Sequence, residues 1–100
     1  MHIISKSALP PFWNKYPSSR AALEAWYKLI KHGRYPDYVK LKQTFGSADY
    51  LTPYTVFDIS GNNVRIISVI HYDRQKLYIR HVLTHPEYDH WSALYRSGKS

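Results

Sequence analysis

The hydrophobic positions of this chain follow a helical period in its first half and a strand period in its second. After two serines, apolar side chains recur at the spacing of one helical face: Leu23, Trp26, Tyr27 and Ile30. Ser18 or Ser19 caps this predicted helix, and Gly33 ends it. A second, shorter helix is predicted over residues 36–45, and a β-branched run at residues 2–5 predicts an opening strand.

Three predicted strands follow one another in the second half of the chain. Residues 54–59 are strand-like, residues 64–72 are almost continuously apolar, and residues 77–84 complete the set. A Ser-Gly-Asn-Asn turn signal at 60–63 and an Asp-Arg-Gln turn at 73–75 join them. Because strands joined by short turns run in opposite directions, this part of the sheet must be antiparallel.

Prolines mark the beginnings of two further helices. Pro10 and Pro11 allow only a helix that begins near them. Pro86 begins a terminal helix, with Thr84 or His85 at its cap position. The order of strand, helices, three strands and helix predicts an α+β fold, in which the helices lie on one side of a small antiparallel sheet.

Composition narrows the class of protein. The 100 residues fit a single domain spanning 1–100. Lys and Arg number 14 against 7 Asp and Glu, and the net charge of +7 favours a polyanionic partner: nucleic acid, an anionic membrane surface or an acidic protein. The absence of cysteine excludes disulfide scaffolds and zinc ribbons. No signal peptide or membrane-length apolar run is recognisable, which predicts a cytoplasmic protein.

Two arginines interrupt the apolar strands. Arg65 lies in the second predicted strand and Arg80 in the third. A charged side chain in mid-strand either faces solvent or serves a site. If these strands are hairpin neighbours, both guanidinium groups can share one face. Such a pair would form a phosphate clamp, because the guanidinium fork matches phosphate oxygens and keeps its charge.

Strict alternation divides the last strand into two faces. One face is predicted to be mainly apolar and to hold Leu77, Ile79, His81 and Leu83. The other is predicted to hold Tyr78, Arg80, Val82 and Thr84. Because it falls among apolar residues, His81 is interpreted as a core or partner-facing histidine and is not assigned to a functional site.

The densest group of reactive side chains is the heptapeptide Thr-His-Pro-Glu-Tyr-Asp-His at residues 84–90. It combines a base active near neutral pH, a phenol and two carboxylates at a helix N-terminus. The alternative is a capped helix whose histidines are solvated. His81, His85 and His90 lack the spacing of a metal site, so no metal is predicted.

Three segments together resemble the HigB-type toxins of the RelE superfamily. They are residues 57–67 (FDISGNNVRII), 78–80 (YIR) and 84–89 (THPEYD), and the resemblance extends over nearly the whole chain. It implies a ribosome-dependent mRNA interferase that is neutralised by a HigA-type antitoxin with a helix-turn-helix domain. It also implies the compact RelE-like fold, with two or three helices on a small antiparallel sheet.

The resemblance also assigns roles to residues and requires no cofactor. It implies Arg65, His85, Tyr88 and Asp89 as catalytic residues and Lys42 and Arg80 as substrate-binding residues. Without a metal, the RNA 2′-hydroxyl is the nucleophile, and a 2′,3′-cyclic phosphate and a 5′-hydroxyl are the expected products. His85 is then the general acid or base, which Asp89 orients or assists.

Two other interpretations fit part of the same evidence. The charge, the 10 Tyr and the 3 Trp also suit a non-catalytic RNA- or DNA-binding module. An inactive relative that keeps the fold only for partner binding is the third possibility. Growth arrest upon expression without the antitoxin would separate an interferase from a binding module.

Overall fold

Four helices and five strands are found in the computed structural model, which describes residues 1–59 and 63–98. The helices are α1 (Leu9–Lys15), α2 (Arg20–His32), α3 (Tyr38–Thr44) and α4 (His85–Arg96). The strands are β1 (His2–Ile4), β2 (Asp49–Leu51), β3 (Tyr54–Ile59), β4 (Val64–His71) and β5 (Lys76–Thr84). The α+β class predicted from the sequence is confirmed.

Most element boundaries follow from the local signals. Two prolines, Pro10 and Pro11, lie in the first turn of α1, and α2 ends at Gly33. The side chain of Asp37 accepts a hydrogen bond of 2.9 Å from the backbone N–H of Lys40 and caps α3. Strand β2 was not predicted, because three residues are too few to show a period. Residues 60–62 of the predicted turn lie outside the described residues.

The sheet order is β1-β5-β4-β3-β2, and the sheet is mixed. Strands β2 to β5 pair antiparallel with their neighbours, as the short connections predict. Strand β1 pairs parallel with β5, with Ile3 opposite Leu77. The prediction of an antiparallel sheet is wrong for this one pair. The helical segments between β1 and the rest of the sheet leave its direction unconstrained by any short turn.

A β-bulge at Arg80 changes which side chains of β5 share a face. Ile67 of β4 pairs with His81, but the next residue, Ser68, pairs with Ile79, so Arg80 has no partner in the register. Alternation therefore reverses at Arg80. Val82 faces the same side as Leu77 and Ile79, and its side chain packs against the core. The predicted placement of His81 and Leu83 on that face, and of Val82 and Thr84 on the other, is wrong.

Helices cover both faces of the sheet. On one face, the core forms where the Trp26 ring of α2 meets Phe57 of β3, with ring centroids 5.3 Å apart. On the other face, Trp91 of α4 packs edge-on against Tyr54 of β3 at 5.3 Å. The sequence predicted helices on one side only. The continuously apolar β4 explains the difference, because a strand that is apolar on both faces needs a cover on each.

Within the described residues, no helix is both long enough and apolar enough to cross a membrane.

Candidate functional site

Arg65 is the centre of a contact network between β3, β4 and α4. Its Nη1 atom donates to Oδ1 of Asp58 at 2.6 Å, and Asp58 lies directly opposite on β3. The side chains are only 12% and 20% exposed, so this ion pair holds the guanidinium in one orientation. Sequence reasoning missed Asp58 as part of the site. The four-residue turn at 60–63 was the available signal, because it places residue 58 opposite residue 65.

His85 lies at the first position of α4, where its imidazole contacts Arg65. The distance from Nη2 of Arg65 to Nδ1 of His85 is 3.5 Å. A guanidinium can only donate, so Nδ1 can take part in this contact only as an acceptor, which requires the tautomer with the proton on Nε2. Nε2 lies 3.5 Å from Oδ2 of Asp89, one helical turn further on. The imidazole therefore lies between a cation and a carboxylate, and the His85 side chain is 51% exposed.

Tyr88 completes the network. Its ring lies with its centroid 5.1 Å from Cζ of Arg65, which is a cation–π contact. His85, Tyr88 and Asp89 follow the i, i+3, i+4 spacing and so occupy one face of α4. The structure thus brings together the four residues that the resemblance implied as catalytic.

The beginning of α4 is set by a capping box. The Oε1 atom of Glu87 accepts from the backbone N–H of Thr84 at 2.8 Å and from the Thr84 hydroxyl at 2.9 Å. This capping places His85 immediately after the cap, beside Arg65. The capped-helix interpretation is therefore correct for Glu87. His90, on the same helix, is exposed and makes no hydrogen bond or ion pair with Arg65 in the part of the chain described.

The same capping box predicts a pH-dependent contribution to stability. The backbone hydrogen bond from Thr84, followed by its hydroxyl, lowers the pKa of Glu87 below its ordinary value of 4.5. A lowered pKa stabilises the fold fully above that ordinary value, and the effect disappears as the pH falls through the folded-state pKa. We expect Glu87→Gln to lower the urea midpoint at pH 7 and to have a smaller effect at pH 3. Thr84→Ser retains the hydroxyl and should keep the pH dependence. An equal loss at both pH values for Glu87→Gln would contradict the capping role.

Tyr88 is the first ring of an aromatic column on α4, which continues with Trp91 and Tyr95. Trp91 stacks on Tyr88 at 6.0 Å and on Tyr95 at 5.5 Å, with interplanar angles of 22° and 16°. The Tyr95 hydroxyl donates to the carbonyl of Thr52 at 2.8 Å. Sequence reasoning missed this column, although the i, i+3, i+7 spacing of its three rings was a visible signal. His81 also faces this side, with its ring 6.4 Å from Trp91.

The two residues implied in substrate binding lie apart from the network. The Nζ atom of Lys42 donates to the carbonyl of Ala48 at 2.6 Å and so ties α3 to the segment before β2. Arg80 is exposed, and its Cζ atom lies 5.6 Å from the centroid of the Tyr78 ring. Arg65 pairs with Leu83 of β5, and Arg80 lies three residues before Leu83, about 10 Å along the strand. No contact between the two arginines is seen among the described residues.

Similarity to known proteins extends over almost the entire chain. A family model for HigB toxins, described as the RelE-like toxic component of a toxin–antitoxin system, matches residues 19–91. The mRNA interferase toxin HigB of Escherichia coli strain K12 is 37% identical over 100 residues, covering 97% of this chain and 96% of that protein. The mRNA interferase HigB of Escherichia coli O6:H1 is 32% identical over 102 residues, covering 99% of each chain. As its sequence motifs predicted, the chain belongs to the HigB family of RelE-like toxins.

Proposed function

We propose that this toxin is an mRNA endoribonuclease whose active centre is the Arg65 network. The observation that carries the proposal is the meeting of a guanidinium, an imidazole and a phenol at Arg65, His85 and Tyr88, beside an exposed helix face. These are the groups that phosphodiester cleavage requires: charge stabilisation, proton transfer and a substrate contact. The relatives named mRNA interferases support messenger RNA as the substrate.

The geometry supports His85 as a residue that transfers a proton. Nδ1 of His85 faces the guanidinium of Arg65, while Nε2 faces Asp89. A phosphate that binds the Arg65 guanidinium would take its N–H from Nδ1 and free the Nδ1 lone pair for proton transfer, while Asp89 holds the Nε2 proton and fixes the ring. Cleavage forms a bond from the 2′-oxygen to phosphorus and breaks the bond to the 5′-oxygen. The 2′-hydroxyl proton passes to a base and the 5′-oxygen gains a proton from an acid, and His85, assisted by Asp89, fills one of these roles; the products are a 2′,3′-cyclic phosphate and a 5′-hydroxyl.

The other proposed residues extend the surface that holds the RNA. In this proposal Tyr88 stacks on a base or donates its hydroxyl to the phosphate, and Arg65 stabilises the charge that develops on the phosphorane. Arg80 adds an exposed cation on β5. The ammonium of Lys42 has three N–H donors. One donates to the carbonyl of Ala48, and the other two can bind a phosphate.

The cellular setting follows from the same proposal. The chain acts in the cytoplasm on mRNA bound to the ribosome, without a metal or other cofactor, and a HigA-type antitoxin with a helix-turn-helix domain neutralises it. Membership in a toxin–antitoxin family supports the antitoxin partner. Ribosome dependence and independence from metal are tested directly by the experiment below.

The deciding experiment is cleavage of an mRNA by the purified chain, with and without ribosomes, followed by analysis of the product ends. We expect ribosome-dependent cuts that end in a 2′,3′-cyclic phosphate. Any cleavage of free RNA should continue in EDTA, which is used only without ribosomes because they need magnesium. Loss of cleavage in EDTA would overturn the metal-free mechanism. Absence of cleavage with retained RNA binding would favour the non-catalytic binding module.

A further inference from the structure

A basic surface separate from the Arg65 network lies on the opposite side of the molecule. Helices α1 and α2 cover the face of the sheet away from α4, and between them runs a groove of about 490 Å³. We call it the α1–α2 groove. The residues that give it its chemistry are Lys6, Trp13, Arg20, Tyr27, Lys28 and Lys31.

Aromatic rings hold the cations of the groove in place. Nζ of Lys6 lies 4.8 Å from the centroid of the Tyr27 ring, and Nζ of Lys31 lies 5.8 Å from the same ring. Cζ of Arg20 lies 5.1 Å from the Trp13 ring. Cation–π contacts of this kind restrict long side chains that would otherwise be mobile. The groove therefore presents ordered positive charge over apolar rings.

The charge of the groove is almost uncompensated. Four Lys and Arg side chains line it, and its one carboxylate, Glu24, pairs with Arg20 at 2.6 Å, which leaves a net of three positive charges. Lys28 and Lys31 also complement the dipole at the end of α2. That effect does not explain Lys6, which precedes α1, or Arg20 at the opposite end of α2. From Arg20 to Lys31, the groove follows α2 for about 16 Å.

We propose that the α1–α2 groove binds the phosphodiester backbone of ribosomal RNA and docks the toxin while the Arg65 network cuts the messenger. This inference rests on the proposed function, which brings the chain to a ribosome. Ordered cations over aromatic rings suit an RNA backbone. The groove lies on the side of the sheet that α2 covers, whereas Arg65 lies on the side that α4 covers. A messenger segment bound at Arg65 therefore leaves the groove open to a second stretch of RNA, which we assign to the ribosome.

The test is the triple variant Lys6→Glu/Lys28→Glu/Lys31→Glu, assayed for sedimentation with vacant ribosomes at several salt concentrations. All three side chains are exposed. We expect ribosome affinity to fall by about 10- to 100-fold and the salt dependence of log K to weaken by roughly 2. The matched control Lys40→Glu/Arg74→Glu/Arg96→Glu carries the same charge change at exposed positions outside the groove and should bind much more tightly than the triple variant.

Each arm of the experiment has a defined outcome. Equal ribosome binding by the triple variant and the control would overturn the proposal, whether or not the wild-type chain cleaves RNA. A single-stranded 20-nucleotide RNA is the second probe. Loss of binding to that RNA with unchanged binding to vacant ribosomes would assign the groove to messenger and overturn the assignment to ribosomal RNA. If the triple variant does not fold by circular dichroism, Lys28→Ala/Lys31→Ala replaces it, with a smaller loss expected.

The failure of this inference is distinguishable from failure of the proposed function. A wild-type chain that binds ribosomes through the groove but cuts no mRNA would support docking and overturn the endonuclease. A chain that cuts mRNA on ribosomes while the triple variant binds and cuts as the control does would leave the endonuclease and overturn the groove.

Discussion

Replacing His85 by alanine is expected to lower the rate of mRNA cleavage by about 10²- to 10⁴-fold. The imidazole is the group with a proton-accepting nitrogen facing Arg65, at 3.5 Å from the guanidinium. Its removal takes away proton transfer but leaves the phosphate-binding charge in place. The loss should therefore appear mainly in kcat, measured by primer extension over a time course on ribosome-bound mRNA.

His90→Ala is the matched control for this prediction. His90 lies on α4, only five residues beyond His85, and is exposed. The variant should cleave at close to the wild-type rate and should show whether shortening any histidine on this helix disturbs its docking. Near-wild-type cleavage by His85→Ala would remove His85 from the mechanism and shift proton transfer to Tyr88 or Asp89.

Arg65→Glu is expected to abolish measurable cleavage and to weaken RNA binding. The substitution places a carboxylate beside Asp58 and takes away the cation that contacts His85 and Tyr88. Loss of one preorganised charge-stabilising group typically costs about 10²- to 10³-fold in rate, and reversal of the charge adds repulsion of the phosphate. Arg65→Lys keeps the charge but loses the forked donors, so an intermediate rate is expected.

A structural effect of Arg65 is separated from a chemical one by Asp58→Asn. That variant replaces the ion pair at 2.6 Å by a neutral hydrogen bond, because Oδ1 of Asn can still accept from Nη1, and it keeps the guanidinium and its charge next to Tyr88. We expect it to cleave far faster than Arg65→Glu. Arg74→Glu, at an exposed turn, controls for the change in net charge. Intact binding and cleavage by Arg65→Glu would rule out Arg65 as the phosphate-binding cation, and an equal loss in Asp58→Asn would assign the effect to the lost ion pair.

The pairing of Arg65 with Asp58 also explains why a charged strand residue is compatible with stability. A guanidinium that is only 12% exposed needs partners, because burial of an unpaired charge is costly. Asp58, His85 and the Tyr88 ring supply them. The same contacts preorganise the cation for a phosphate, since α4 and β3 together restrict the side chain before any RNA binds.

Short-range signals in the sequence were enough to predict the elements that build the site. The helical period of α2, the two turns that separate β3, β4 and β5, and the proline that begins α4 each depend on neighbouring residues. The motif at residues 84–89 placed His85, Tyr88 and Asp89 at one helix N-terminus, and the family resemblance named Arg65 with them. These are properties of local geometry and of a recognisable pattern.

The tertiary structure alone decided how those elements face one another. No period along the chain shows that β1 pairs parallel with β5, that α4 covers the face opposite to α2, or that a bulge at Arg80 reverses the alternation of β5. The sequence likewise does not show that the ammonium of Lys42 donates to the carbonyl of Ala48. Local sequence determines which dihedral angles and faces an element prefers. The choice of partner for each face depends on burial summed over residues far apart in the chain, and that sum exists only in the folded protein.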